Sequence, residues 1–342
     1  MSVKIAVLGT GANGSCISAD LIRTGHDVTM IDQWPAHVET MRRDGLHISA
    51  PDEEVHVEVD AQHICDLCSL NRVFDIVLIC FKAYDTRWAA ELIKPYLAED
   101  AIVVGVQNCM TADDIAEIVG PSRTIGCGVE LASQMFEPGK VKRSITRART
   151  WFRIGALDPS MEARVPEIEA VLKNVGGVSI DENIRSLKWT KLVTNAMFLG
   201  TGAIIGMNGG EAANTIPGMR DLMLKCGNEA LRAGQSLGYT IEPVFGLTRE
   251  EIEGTNRLLE LLLDRVTAAV GTTKINTTSQ DLMKGRYSEV DLVNGRVVEE
   301  NAKHGETSPA NQAIVEIARR IHTGELQIDP SNLDLAKQMM GN

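Results

Sequence analysis

Aromatic residues are scarce in this chain, at 4% of its 342 residues. No stacking platform for bases is apparent, and a formal net charge of −12 repels nucleic-acid phosphates and anionic membrane surfaces. Neither nucleic acid nor membrane is an expected partner. Long apolar runs are missing as well: none reaches the ~18 residues of a membrane span. The longest candidate, Ala196 to Met207, is short and glycine-rich. The chain begins directly in a strand-like segment, so no signal peptide is expected and the expected location is the cytoplasm. A cysteine framework is also absent. Seven cysteines, an odd number without regular spacing, read as reduced thiols. Cys65-Asp66-Leu67-Cys68 forms a C-x-x-C, but no second ligand pair stands at zinc spacing, so no metal site is expected.

What is present begins at the N-terminus. Gly9-Thr10-Gly11-Ala12-Asn13-Gly14 follows the apolar run Val3 to Leu8 and opens a helix-like stretch, Ser15 to Thr24; a second apolar run, Val28 to Ile31, ends at Asp32. This is the order of a dinucleotide-binding βαβ unit. Gly9 permits a tight turn, Gly11 lets the backbone approach a pyrophosphate, and Gly14 lets the helix pack on the strand. The helix N-terminus offers N–H groups and a positive dipole end to phosphate, which places Ala12 and Asn13 at the cofactor. Asp32 suits the free 2′-hydroxyl of an NAD ribose, whereas the 2′-phosphate of NADP asks for a nearby Arg or Lys. Gln33, Trp34 and Pro35 come next, with no basic residue before Arg42. NAD is therefore expected over NADP. A cap on the strand–loop junction would also account for an acid at this position.

The length suits two domains. Strands and helices alternate in the first half, with buried-type apolar runs at Asp75 to Cys80 and Ala101 to Val106, a helix at Thr86 to Leu97, strands in Thr124 to Ala132 and Lys140 to Gly155, a helix at Pro159 to Lys173 and a strand at Gly177 to Ile180. From about Asp181 helical periods dominate: Asn183 to Leu199, Pro217 to Leu237 with Gly238 as C-cap, Arg249 to Val270 behind a Thr248/Glu251 capping box, Ser288 to Lys303 and Pro309 to His322. The expected architecture is a Rossmann-type α/β domain over residues 1–181, with helices on both faces of a parallel sheet. An all-α domain over 182–323 and a tail over 324–342 follow, with the active site in the cleft between the domains. Leu258-Leu259-x-Leu261-Leu262-Leu263 is more apolar than one buried face needs, which a homodimer or a core helix would each explain. The basic stretch Lys140 to Arg153, read as a strand, puts Arg147, Arg149 and Arg153 on one face. Those arginines suit an anionic substrate or a solvated edge strand.

Lys191 and Asn195 stand four apart in an otherwise apolar helix, hence on one face, and spacing alone leaves surface and cleft equally open. Glu289 follows a turn and precedes Asn294 by about one helical turn; a plain helix-terminal charge would also sit there.

Taken in order, Gly9-x-Gly11-Ala12-x-Gly14, Phe81-Lys82-Ala83-Tyr84, Gln107-Asn108-x-Met110, Pro138-Gly139-x-Val141, Lys191-Leu192-x-x-Asn195-Ala196, Gly285-Arg286-x-x-Glu289-Val290-Asp291 and Asn294-Gly295 span about residues 3 to 320. In these motifs the chain resembles the ketopantoate reductase (2-dehydropantoate 2-reductase) family. The resemblance implies a catalytic lysine at Lys191, the general acid that protonates a carbonyl oxygen as hydride arrives from a nicotinamide. It implies an acid at Glu289 that holds a substrate hydroxyl and helps position the lysine. Asn108 and Asn195 would contact substrate or orient Lys191, and Lys82 would lie near cofactor and substrate. Departures matter too. Where NADPH-using members tend to carry Arg after the second strand, this chain has Gln33, and where they often carry Gln it has Asp85. The usual Gly after Gln-Asn is Cys109. The family's Asn-Pro eight and nine residues after the lysine is Leu199-Gly200, and the serine that holds the substrate carboxylate falls on Thr277. The resemblance with these departures implies an NAD-linked oxidoreductase that interconverts a carbonyl and a secondary alcohol in a small substrate such as a 2-oxo or hydroxy acid, with ketopantoate a doubtful substrate. An NADPH-dependent ketopantoate reductase and an NAD(H)-sensing protein without catalysis are the competing readings.

Overall fold

The computed structural model describes residues 2–270 and 276–341. The chain divides into two compact units, Met1–Ile184 and Arg185–Asn342. In the first unit β1 (Lys4–Leu8), α1 (Ala12–Arg23), β2 (Asp27–Asp32), α2 (Pro35–Asp44), β3 (Leu46–Ser49), β4 (Glu54–Val57), β5 (Asp60–His63) and β6 (Phe74–Ile79) are followed by α3 (Thr86–Ile93), β7 (Leu97–Val106), α4 (Thr111–Val119), β8 (Thr124–Glu130), β9 (Ser133–Glu137), β10 (Lys140–Arg143), β11 (Trp151–Ala156), α5 (Val165–Leu172) and β12 (Gly177–Ile180). An eight-stranded sheet runs β12-β11-β8-β7-β6-β1-β2-β5. It is parallel from β8 to β5; β11 pairs antiparallel with β8 and carries β12 with it. The sheet is therefore mostly, not wholly, parallel. Alternate residues of the central strand face two cores. Ile5 and Val7 pack with α1 residues Cys16, Ile17 and Leu21, while Ala6 and Leu8 pack with Ala89 and Ile93 of α3 and Ile115 of α4. Covered on both faces, such strands read as unbroken apolar runs.

A second sheet, β4-β3-β10-β9, has no counterpart in the sequence reading. Its strands are four or five residues long and half polar, as in Leu46-His47-Ile48-Ser49 with alternating burial. The basic stretch is not one strand. It breaks into β10, a single 3₁₀ turn at Arg147–Arg149, and β11, so Arg147, Arg149 and Arg153 share no strand face. Arg143, Arg147 and Arg153 are tied into the fold. Arg143 and Asp20, each with a side chain 3% exposed, form an ion pair at 2.7 Å that ties β10 to α1. Arg147 donates to the Asn174 carbonyl, and Arg153 pairs with Asp181. Burial pushes the Asp20 carboxyl up, and the Arg143 guanidinium opposes that shift. Removing one partner of such a pair strands a buried charge. Arg143→Met should therefore cost about 3–5 kcal/mol of stability, read as a large fall in Tm. Adding Asp20→Asn should recover most of the loss; no recovery would mean that Arg143 acts through its bond to Thr150 Oγ1 instead.

The second unit holds α6 (Ile184–Ile205), α7 (Gly209–Thr215), α8 (Met219–Ser236), α9 (Arg249–Glu253), α10 (Leu258–Val270), α11 (Thr277–Met283), α12 (Val290–Lys303), α13 (Pro309–His322) and α14 (Asn332–Met339). The helix read from Arg249 to Val270 is two helices. The Thr248/Glu251 capping box forms, but the first helix stops at Gly254. The helix read as ending at Leu199 continues to Ile205. Trp189 anchors it to α8 by donating to Ala230 O at 3.0 Å. Gly234 makes room, since a Cβ there would lie 2.3 Å from the indole nitrogen. The tail region carries α14, and Asn332 Nδ2 donates to Ile204 O at 2.8 Å, binding it back to α6. Among the described residues no helix is long and apolar enough to cross a membrane.

Candidate functional site

The candidates from the sequence fall in both units. Gly9, Gly11, Ala12, Asn13, Gly14, Asp32, Lys82 and Asn108 belong to the first; Lys191, Asn195, Thr277 and Glu289 belong to the second.

In the first unit the glycine loop leaves β1 between two neighbours. Gly9 N–H donates to Ile31 O of β2, and Cys80 N–H donates to Leu8 O. Gly9 has φ +86°, and a Cβ there would lie 2.4 Å from Phe81 N; a Cβ on Gly14 would lie 2.2 Å from Gly9 O. Both positions exclude any side chain. Gly11 differs, because a Cβ on it would meet nothing within 4 Å. Gly11 is also the N-cap of α1 and has no side chain with which to cap it. The helix start thus has no side-chain cap from Gly11, and the space beside Gly11 is open, an arrangement suited to a phosphate group.

Asp32 ends β2 and is 6% exposed. Its Oδ1 accepts Trp34 N–H at 2.8 Å and its Oδ2 accepts the Thr10 hydroxyl at 3.3 Å. The acid thus caps the strand–loop junction and is aimed at the glycine loop at the same time. Arg42, the first basic residue after it, is committed elsewhere, to Ala61 O at 2.8 Å and Asp66 at 2.7 Å. Asp85 accepts the Trp88 indole N–H at 2.7 Å.

Three residues outside the predicted set of site residues hold this region together. Buried His37 takes the Gly139 N–H on Nδ1 at 2.9 Å, which leaves Nε2 to donate to Thr10 O at 2.8 Å. Burial pushes its pKa down, consistent with a neutral ring. Ser133 donates to Asn13 Oδ1 at 2.5 Å. Gln107 donates to Phe81 O at 2.7 Å and accepts the Thr86 hydroxyl at 3.2 Å, joining the loop that carries Asn108 to the one that carries Lys82. Gln107 alone had a sequence signal, as part of Gln-Asn-x-Met. Cys109, where the resemblance puts glycine, adopts φ +65°.

In the second unit every residue of α6 is buried except Arg185, Lys191 and Leu199. Lys191 is half-buried, and Asn195, one turn on, is 6% exposed. Leu199 follows after one more turn, and its carbonyl accepts Asn276 Nδ2 at 3.3 Å. Asn276 is the N-cap of α11 and Thr277 its first residue, so this bond brings the Thr277 segment to α6. Glu289 is the N-cap of α12 and 5% exposed, yet its side chain makes no capping bond to that helix. A plain helix-terminal charge would be solvated; Glu289 is buried and does not cap its helix. Among the described residues no group of three or more His, Cys, Asp or Glu could hold a metal ion.

Comparison with known proteins bears on the family and the fold. The family model described as "Ketopantoate reductase PanE/ApbA" matches residues 5–158, and its C-terminal companion matches 183–322. A 2-dehydropantoate 2-reductase of Pyrococcus horikoshii is 25% identical over 87% of this chain and 90% of its own length. One of Halobacterium salinarum is 24% identical over 93% and 98%. Among solved structures, a PanE/ApbA family ketopantoate reductase of Ralstonia eutropha aligns with TM-score 0.80 at 26% identity, covering 94% of this chain and 99% of its own. A D-mandelate dehydrogenase with NADH and anilino(oxo)acetate aligns with TM-score 0.83 at 20% identity over the same shares, a likeness of fold.

Proposed function

This chain belongs to the ketopantoate reductase family, and on that premise we propose that it is an NAD-dependent oxidoreductase interconverting a 2-oxo acid and its 2-hydroxy acid. The family is one of oxidoreductases acting on CH–OH groups with a nicotinamide cofactor. The observation that carries the reading is Lys191, a half-buried lysine in a helix otherwise buried almost throughout its length. A lysine there can present its amino group to a bound substrate and pass a proton to it.

The first unit fits a dinucleotide: open space at Gly11, uncapped amides at the start of α1, and a carboxylate at Asp32 for a ribose hydroxyl. When bound, the nicotinamide supplies or accepts the hydride. The chain's residues handle the proton. On reduction Lys191 Nζ gives a proton to the carbonyl oxygen while the carbonyl carbon gains hydride, leaving a secondary alcohol and a neutral amine; oxidation runs the same transfer backwards. Glu289 holds the substrate and the lysine in register. Asn195, Asn108 and the Thr277 hydroxyl bind the substrate's oxygens, and Lys82 lies at the cofactor side.

Leu199 bears on which acid. Its half-buried side chain stands on the same helix face as Lys191 and Asn195, one turn beyond the asparagine. An apolar group there leaves a substrate hydroxyl unpaired, at a cost of about 1–3 kcal/mol. Acids with apolar side chains are the better fit. With NADH as reductant, kcat/KM for 2-oxo-3-methylbutanoate or phenylglyoxylate should exceed that for ketopantoate by roughly tenfold or more. Faster ketopantoate reduction would overturn the substrate reading.

A further inference from the structure

A buried chain of amides and one carboxylate crosses the helical unit. Asn294 of α12, fully buried, donates from Nδ2 to Ala196 O of α6 at 3.1 Å and to Asn311 Oδ1 of α13 at 2.8 Å. Asn311 Nδ2 in turn donates to Cys226 O of α8 at 3.0 Å and to Glu229 Oε2 at 2.7 Å. The Glu229 carboxylate also accepts the Ala310 and Asn311 N–H groups, each at 2.9 Å. The orientation of Asn294 is forced, because both of its neighbours in this chain are acceptors. Its own Oδ1 is buried and, among the described residues, has no hydrogen-bond partner. It lies 2.8 Å from where a Cβ on Gly200 would stand. An asparagine that leaves one buried oxygen unpaired is poorly explained by stability alone, since an unmet acceptor costs about 1–3 kcal/mol.

The place of the link suggests what it is for. Ala196 follows Lys191 by five residues on α6, and Asn294 follows Glu289 by five residues at the start of α12. We propose that Asn294 is a positioning residue: its bond to Ala196 O fixes α6 against α12 and so sets the placement of Lys191 relative to Glu289. This rests on the roles given above to Lys191 and Glu289. A helix backbone carbonyl already serves its own ladder, so a second donor at Ala196 O adds register without adding charge. Gly200 is what admits it. The approach of the Asn294 amide and of Ile314 Cγ2, 2.7 Å from that Cβ position, leaves no room for a side chain.

The test compares Asn294→Leu, Glu289→Gln, Lys191→Ala and the Asn294→Leu/Glu289→Gln double variant. The readouts are NADH-dependent reduction of phenylglyoxylate, NADH affinity and Tm. The single Asn294 change should lower kcat roughly 10- to 100-fold, as a misplacement of about 1 Å does, with NADH affinity unchanged. The double variant should be no slower than Glu289→Gln alone, because both changes act on one unit. A kcat within about twofold of wild type despite a lower Tm, or a double variant whose losses multiply, overturns the proposal. If Asn294→Leu does not fold, Gly200→Ala applies the same test by displacing the amide sterically, and an unchanged kcat there overturns it equally. Retained turnover in Lys191→Ala and Glu289→Gln would sink the catalytic reading itself. Loss in those two with no loss in Asn294→Leu sinks only the positioning role.

Discussion

Replacing Lys191 by alanine is expected to lower kcat by at least ~10²-fold while leaving NADH affinity within about twofold. The two parts of that expectation have separate physical origins. The kcat loss follows from removing the proton donor for the carbonyl oxygen. Water could replace it only poorly at a half-buried position in a helix where nearly all else is buried. Retained affinity follows from the chain's architecture: Lys191 belongs to the helical unit, whereas the glycine loop and Asp32 belong to the α/β unit. Lys191→Arg should fare little better than alanine. A guanidinium keeps the charge but does not release its proton near neutral pH. If the arginine variant kept most of the activity, Lys191 would be acting as a fixed charge and not as an acid and base. The measurement is steady-state kinetics with a titration of bound-NADH fluorescence.

The second large expected effect is in cofactor choice. NADPH should bind at least ~10²-fold more weakly than NADH, because a 2′-phosphate would meet the Asp32 carboxylate in a largely desolvated corner. Two like charges about 4 Å apart at an effective dielectric near 20 repel by about 4 kcal/mol, more than such a ratio needs. Relief from nearby cations is limited: Gln33, Trp34 and Pro35 carry none, and Arg42 is held by Ala61 O and Asp66. Asp32→Ser combined with Gln33→Arg should bring the two cofactors to within about tenfold or reverse their order. Serine retains an oxygen for the Trp34 N–H that Asp32 now accepts, so the junction should survive the change. Equal affinity of the wild-type chain for both cofactors would leave Asp32 with only its junction-capping bond.

How much of this was legible beforehand depends on how each element is specified. β1, the glycine loop and β2 could be read because a strand buried on both faces is an unbroken apolar run and the turn admits only glycine at positions 9 and 14. Pro309 to His322 was readable to the residue, since proline opens it at the first helical position and a clear apolar face follows. The small sheet of β3, β4, β9 and β10 could not be read. Its strands are short and half polar, and β10 pairs with β3, which lies nearly a hundred residues earlier in the chain. The stretch from Lys140 to Arg153 misled for a related reason: its basic residues suggested a charged edge, but Arg143 is buried against Asp20, a partnership that no local pattern announces. At the site, spacing put Lys191 and Asn195 on one face but could not decide whether that face was wet. The resolution came from the burial of α6 on nearly all sides, which is a property of its neighbours. His37, Ser133 and Asn294 act through contacts between distant segments and carry no motif that spells out those contacts.

On the proposed function, this chain moves a hydride between NADH and the carbonyl carbon of a 2-oxo acid. The most direct test is a single turnover with NADH deuterated at the transferring C4 position and phenylglyoxylate or 2-oxo-3-methylbutanoate, followed by mass spectrometry of the product. The expected product is a 2-hydroxy acid bearing one deuterium at C2, formed with a primary isotope effect. NADH that binds but passes no deuterium to either of these acids or to ketopantoate, as a sensing protein would behave, would contradict it.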